Sequence, residues 1–396
     1  VAVGIDVAKE FHWVAALDTR TGELLLSRRI DNDPASIEEL AVELTRLQLE
    51  RGTVTVGIDV VGGIASLLSA MLAEAGFALV HVPGLAVNRA RRGSSGGEHK
   101  SDPRDARVIA DLVRSRDDLR ALEVESELDA ELRLLVGRRR ELVTEQTRRL
   151  VRLRDLLASI HPGLERTIDP TGKASLWLLR RYVTAAEIRR AGKTRLVNHL
   201  ARAGHLRQVD IDRLSEEALA AARAQRIVVP GERVAAELVR ELAKEALRAR
   251  DRLAALDAQL EETLARHPDA ALIRSLPGMG ATLTAEFIAE AGGIGRFPTP
   301  DRLAAAAGLA PVLRQSGKVR YLQCARGGNK ALKRVFYQSA FCSLNQPASR
   351  CFYARKRAEG KRHHQALIAL ARRRVDVLHA ILRTREPYRL DHRRVA

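Results

Sequence analysis

The chain is 396 residues long, 46% hydrophobic but only 4% aromatic, and carries a formal net charge of +18. Such a length allows two or three domains with real cores, and the scarcity of aromatic residues points to Leu/Ala/Val cores and favours helix. No uninterrupted apolar run reaches the roughly 18 residues of a membrane span and no basic-then-apolar segment opens the sequence, so no membrane partner and a cytoplasmic location are expected.

Residues 1–7, 11–17 and 23–30 read as three strands, with Asp18-Thr19-Arg20-Thr21-Gly22 as the turn between the second and third. Over residues 34–51, Ile37, Leu40, Leu44 and Leu47 form one helical stripe. Val54, Val56 and Ile58 then alternate with Thr55, Gly57 and Asp59, as a strand requires. A helix to Gly76 and a strand over 77–82 follow. Three strands, helix, strand, helix, strand is the order of an RNase H-type α/β fold, which by itself assigns no function. Residues 89–100 have no apolar period and read as a mobile basic loop, either a linker or a segment that orders on nucleic acid.

Four aspartates punctuate this part. Asp6, in Val-Gly-Ile-Asp-Val-Ala-Lys, and Asp59, in Val-Gly-Ile-Asp-Val-Val-Gly-Gly, end apolar strand-like runs. Asp102 and Asp105, in Lys-Ser-Asp-Pro-Arg-Asp-Ala-Arg, are three apart at the start of a helix-like run and share one face. Singly, each has a structural use: a strand-end turn for Asp6 and Asp59, an N-cap before Pro103 for Asp102, a capping box for Asp105. Together, in this order of elements, they are expected to converge and hold Mg2+ or Mn2+ through carboxylate oxygens. Two such ions, ~4 Å apart, clamp the attacking and leaving oxygens of a phosphodiester.

Long helical patterns run over 125–160 (Leu128, Leu132, Leu135, Leu142, Leu150, Leu153, Leu157) and over 232–266 (Val234, Leu238, Leu242, Leu253, Leu256, Leu260, Leu264). These stripes suit an antiparallel coiled coil, within or between chains, or ordinary core packing. Residues 161–229 are mixed and mostly helical. The last region opens with Leu272-Ile273-Arg274-Ser275-Leu276-Pro277-Gly278-Met279-Gly280 and a helix over 281–291. This looks like a helix-hairpin-helix element, in which Gly278 and Gly280 let backbone N–H groups approach a phosphate; a plain interhelical turn is the alternative. Residues 268–396 hold 24 Lys and Arg against 8 Asp and Glu, whereas the other 267 residues hold 43 against 41. So segregated a field attracts polyanions. Few aromatics interleave with it, which favours phosphate contact over base stacking. Cys324, Cys342 and Cys351 form no Cys-x-x-Cys pair and read as reduced thiols, and the histidines show no zinc spacing.

Within the basic region, Gly308-Leu309-Ala310-Pro311-Val312-Leu313-Arg314-Gln315-Ser316-Gly317-Lys318 places Ser316 in a polar loop, flanked by Arg314, Lys318 and Arg320. The segment Arg326-Gly327-Gly328-Asn329-Lys330-Ala331-Leu332-Lys333-Arg334 follows, and its Arg326, Asn329, Lys330, Lys333 and Arg334 are candidate nucleic-acid contacts. A serine attacks phosphorus only if its proton is removed and the phosphate charge is offset; nearby cations help with both, although a turn residue is the plainer use of a loop serine. These motifs resemble the DEDD-type transposases of bacterial insertion sequences, the insertion sequence one-ten group. The resemblance covers nearly the whole chain. It rests on Gly-Ile-Asp-Val-Ala-Lys, Lys-Ser-Asp-x-x-Asp-Ala, Pro-Gly-x-Gly, Gly-Leu-x-Pro, Gln-Ser-Gly and Arg-Gly-Gly-Asn-x-x-Leu, in that order and spacing.

The resemblance implies a RuvC-like mixed-sheet domain with its long exit helix, a helical coiled-coil region and a mostly helical C-terminal transposase domain, here 1–158, 159–267 and 268–396. It implies an acidic tetrad at Asp6, Asp59, Asp102 and Asp105 and a nucleophile at Ser316. Asp59 stands where the family typically has Glu; one methylene shorter, it is expected to reach metal with help from the backbone or a water. The resemblance further implies a bacterial, nucleoid-associated recombinase that moves a mobile element. Its partners would be the element's DNA ends, the target DNA and a structured guide RNA from the element. It would work as a homo-oligomer, a dimer or a synaptic tetramer, with the serine and the tetrad of one site supplied by different subunits. Leaving sequence choice to RNA–DNA pairing suits a protein whose charge favours backbone contact. Two other readings stand beside it: a hydrolytic junction nuclease of RuvC type, with Ser316 structural, and a catalytically decayed nucleic-acid-binding protein, with Asp59 as the symptom.

Overall fold

Strand alternation organises the N-terminal part of the chain. The computed structural model describes residues 1–93, 101–122, 126–317, 319–323, 325 and 327–389, and these divide into two compact units within 1–126 and 127–396. In the first, six strands form one mixed sheet in the order β3-β2-β1-β4-β5-β6. Strands β1 (Ala2–Val7), β2 (Phe11–Leu17) and β3 (Leu24–Asp31) are antiparallel neighbours. Strands β4 (Thr55–Ile58) and β5 (Ala78–His81) extend the sheet in parallel from β1, and the short β6 (Arg120–Ala121) closes it antiparallel to β5. The helices of this unit are α1 (Pro34–Arg51), α2 (Ser66–Glu74), α3 (Gly84–Gly93) and α4 (Asp102–Ser115). This six-stranded mixed sheet with helices is consistent with the RNase H/RuvC-like class.

Val3 and Ile5 of β1 and Val56 and Ile58 of β4 point to one side of the sheet, where they share a core with Ile37, Leu40 and Leu44 of α1 and Leu68 and Leu72 of α2. Helix α1 starts where expected because the Asp33 side chain accepts from the Ser36 N–H and Pro34 occupies the first turn. The intervening residues of β1 and β4 include Gly4 and Gly57, aligned in register. Helix α4 lies directly on these glycines. A Cβ on Gly4 would stand 2.2 Å from both the Ala106 carbonyl oxygen and the Ala110 nitrogen, and one on Gly57 would stand 2.3 Å from a Val113 methyl. Of the stretch read as a basic loop, residues 89–93 are instead the end of α3. That helix is anchored by Val87, which is buried with Val82 and Ile109. Residues 94–100 lie outside the described residues.

The second unit is built on two long helices, α5 (Glu127–Ile160) and, further on, α10 (Glu232–Arg266). They pack antiparallel within one chain, with Glu131 against Arg266 (2.6 Å), Arg139 against Asp257 (2.6 Å) and Arg149 against Glu245 (3.0 Å). Such surface pairs contribute about 0–1 kcal/mol each, against roughly 1.5–3 kcal/mol for one fully buried Leu, so the buried stripe decides the pairing. That stripe departs from the leucine pattern in one place. The first half of α10 buries Ala236, Val239, Ala243 and Ala246, while Val234 and Leu238 are exposed. Small residues there let the neighbouring helices approach.

Between the two long helices come α6 (Pro162–Thr167), α7 (Lys173–Leu179), α8 (Ala185–Ala201) and α9 (Gln208–Ala224), which form their own core with the adjoining ends of α5 and α10. The C-terminal core gathers α11 (Ala270–Ser275), α12 (Ala281–Ala291), α13 (Pro300–Ala306), α14 (Lys330–Cys342) and α16 (His363–Thr384); α15 (Pro347–Ala358) packs beside them. A two-stranded hairpin, β7 (Val312–Ser316) and β8 (Val319–Gln323), stands between α13 and α14 in sequence. Cys342 and Cys351 are free thiols, and Cys324 is outside the described residues. No helix among the described residues is long and apolar enough to cross a membrane.

The contact at Gly4 is with backbone, which cannot rotate away. Gly4→Ala is therefore expected to destabilise the first unit by about 2 kcal/mol or more. Trp13 on β2 is the tryptophan of this unit, so urea unfolding followed by its fluorescence in a Trp177→Phe background measures the effect. An unchanged midpoint would mean that α4 does not press on β1.

Candidate active site

The register that brings α4 onto the two glycines also positions the acids. In β1 and β4 an aspartate follows the glycine by two residues, so Asp6 and Asp59 fall on the same side of the sheet as Gly4 and Gly57. Asp59 lies just past the end of β4, and the Val7 N–H approaches its Oδ1 at 3.5 Å. Helix α4 contributes Asp102 and Asp105 from its first turn. Ser101, rather than Asp102, is the N-cap residue, and its carbonyl oxygen accepts from the Arg104 and Asp105 N–H groups. Asp102 and Asp105 are thus not consumed as a cap and capping box. Asp105 is buried, at 6% exposure.

Electrostatically Asp59 and Asp105 differ. Burial pushes the Asp59 carboxyl above the usual aspartate range, and the negative charge of Asp105 adds to this. The Val7 N–H and the nearby His81 oppose it. Asp105 is instead held by Arg91 of α3, whose Nη1 donates to Oδ1 at 2.8 Å and to Oδ2 at 2.7 Å. Among the described residues, no three Asp, Glu, His or Cys side chains stand together closely enough to hold one ion. By chemistry alone the donor set, four aspartate carboxylates of which Asp59 and Asp105 lie near enough to interact, suits a hard divalent cation. Arg91 and His81 were not legible as site residues. Arg91 lay in a run of basic residues without periodicity. The signal for His81 is its place at the end of a third parallel strand, paired with Ile58 beside Asp59.

The serine and the basic candidates belong to the second unit. Ser316 is not in an irregular loop: it ends β7 and pairs with Val319 across the tip of the hairpin, next to Gly317 with φ +56°. Paired residues share a face, so Arg314, opposite Tyr321, lies on the Ser316 face, and Arg320, opposite Gln315, lies on the other. Arg314 Nε also donates to Gln323 at 3.3 Å. Lys318 and Arg326 are outside the described residues. Asn329 caps α14 by accepting from the Ala331 and Leu332 N–H groups, and its amide donates to Glu290 at 2.7 Å. Arg334 donates to buried Glu286 at 2.7 Å, whereas Lys330 is exposed and Lys333 half-buried.

The Pro-Gly-x-Gly turn faces inward at Gly278, which has φ +84°; a Cβ there would lie 2.6 Å from the Ser339 carbonyl oxygen. Buried Arg374 holds the turn from beneath, donating to the Pro277 carbonyl and to Ser339 Oγ. Gly280, at the start of α12, faces open space.

An acid whose pKa is raised by folding weakens the fold once it ionises. The penalty is absent below the unfolded value and complete above the folded one. In metal-free protein, Asp59→Asn is therefore expected to raise the melting temperature near pH 7, with the gain vanishing near pH 3. Equal melting curves at both pH values would show that Asp59 is not desolvated.

Comparison with known proteins assigns the family. A family model described as transposase, of DEDD type, matches residues 3–162, and one described as transposase of the IS116/IS110/IS902 family matches residues 270–354. The chain is 43% identical to the 44.8 kDa protein of insertion element IS116 from Streptomyces clavuligerus, over 96% of this chain and 94% of that protein. It is 41% identical to the 42 kDa protein of insertion element IS900 from Mycobacterium paratuberculosis, over 98% and 97%. It is 39% identical to the 43.6 kDa protein of insertion element IS110 from Streptomyces coelicolor, over 97% and 94%. The chain belongs to the IS116/IS110/IS902 family of insertion-element transposases and is a DNA transposase.

Proposed function

We propose that this transposase cuts and rejoins DNA through a phosphoserine link at Ser316, with Asp6, Asp59, Asp102 and Asp105 holding Mg2+ or Mn2+. The observation that carries the reading is the paired Gly-x-Asp register of β1 and β4 beneath the acidic first turn of α4. A metal bound there would polarise the scissile phosphate and offset its charge. Ser316 Oγ forms a bond to phosphorus while phosphorus releases one bridging oxygen, which leaves as a hydroxyl after taking up a proton. In rejoining, a DNA hydroxyl attacks the phosphoserine and Ser316 recovers its proton, so strands are exchanged without net hydrolysis. Arg314, on the Ser316 face of the hairpin, is positioned to offset phosphate charge.

The functional division proposed is 1–158, 159–267 and 268–396. The basic 268–396 segment binds DNA backbone, and a structured RNA from the element supplies sequence choice by pairing. Gly280, Arg320, Lys330 and Lys333 are the contacts favoured by exposure or partial exposure; Gly278, Asn329 and Arg334 have structural partners that account for them. The active form is a homo-oligomer, each site taking its tetrad and its serine from different subunits.

Incubation with Mg2+, the element's terminal RNA and junction DNA should give a protein–DNA adduct on a denaturing gel. Ser316→Ala and Asp105→Asn should each abolish it. An adduct in Ser316→Ala removes this serine as nucleophile, and nicked DNA without adduct points to a hydrolytic nuclease. Lys330→Glu with Lys333→Glu should lower DNA affinity and reduce the slope of log affinity against log salt by about 2. An unchanged slope excludes these lysines as phosphate contacts.

A further inference from the structure

We propose that Arg91 is a resident counter-cation of the acidic site, one that a divalent metal must displace from Asp105. The proposal rests on the metal reading above and concerns what stands in the metal's way. A single atom, Arg91 Nη1, lies 2.8 Å from Asp105 Oδ1 and 2.7 Å from Oδ2. That is the bisecting position from which a cation engages both oxygens of one carboxylate. The pair is nearly closed to solvent, with side-chain exposures of 11% for Arg91 and 8% for Asp105. Two cations cannot share that position at low local dielectric, so Arg91 and a metal bound to both oxygens of Asp105 exclude one another.

The two partners sit on different elements. Asp105 is fixed by α4, whose backbone is pressed onto Gly4. Arg91 comes from α3, a ten-residue helix on which Val87 is the buried residue. Release of Arg91 is therefore a motion of α3 or of one side chain, and leaves the sheet and α4 in place. Arg89 and Arg92 on the same helix are exposed, so a nucleic-acid phosphate arriving at α3 offers Arg91 an alternative anion. The device keeps the acids from collecting metal before substrate is present.

The test is Mn2+ binding, read from the electron paramagnetic resonance signal of the free ion, with the full chain and no nucleic acid. Arg91→Gln should bind Mn2+ at least fivefold more tightly than the unmodified protein. Its melting temperature should be lower without metal, because Asp105 loses its partner, and should recover more on adding Mn2+. Arg91→Lys keeps the charge and the fold but not the symmetric contact, and should fall between the two. Affinity in both variants equal to or weaker than that of the unmodified protein overturns the proposal. If Asp102→Asn abolishes Mn2+ binding in that same experiment, the metal reading survives and only the role of Arg91 fails. If Asp6→Asn and Asp102→Asn bind Mn2+ as the unmodified protein does, the metal reading fails and the proposal falls with it.

Discussion

The close approach of α4 to β1 and β4 is the constraint on which the N-terminal site depends. A helix normally rides above a sheet on a layer of side chains. Here Gly4 removes that layer, so that backbone meets backbone at Ala106 and Ala110, and Gly57 makes room for the Val113 and Ile109 side chains of the same helix. Because α4 sits so low, its first turn comes level with the strand ends that carry Asp6 and Asp59. The Gly-x-Asp repeat is thus one device: the glycine admits the helix, and two residues later the same pleat presents the acid.

Bringing carboxylates together in a partly closed place has an electrostatic consequence. Burial and the negative charge of Asp105 both push the Asp59 carboxyl upward, and the Val7 N–H and His81 offset this in part. Asp105 is paired with Arg91. If the acids hold a divalent ion as proposed, the unfavourable burial of Asp59 would favour its uptake, and stability and function would oppose one another at this point.

The C-terminal basic segment follows a different logic. Much of its polar chemistry is spent inward: Arg374 under the Pro277 turn, Arg334 on Glu286, Asn329 on Glu290 and the start of α14. These contacts brace α12, α14 and α16 around a shared core, from which the Ser316 hairpin projects. Val312, Leu313, Val319, Tyr321 and Leu322 of that hairpin are all exposed. An isolated two-stranded hairpin is marginal in water.

Much of the fold was legible in the sequence because its signals are local. The alternation of 1–7 and 54–59, the stripe of α1 and the bounds of α10 and α12 follow from periodicity and capping, which act over a few residues. The aspartates were legible as a set because strand ends and a helix start are where a sheet and a helix can share a site. Other features were decided only in three dimensions. Alanines took the inner face of α10, since the distance between packed helices selects side-chain size and hydrophobicity alone does not. The hairpin around Ser316 was hidden because its strands are exposed on both faces and carry no apolar alternation. Arg91 reached Asp105 through the packing of α3 on α4, a contact across 14 residues that no local pattern encodes. The sequence by itself determined which residues could carry charge and where regular elements would run; the tertiary structure decided which charges meet, because burial and pairing are properties of the packed chain.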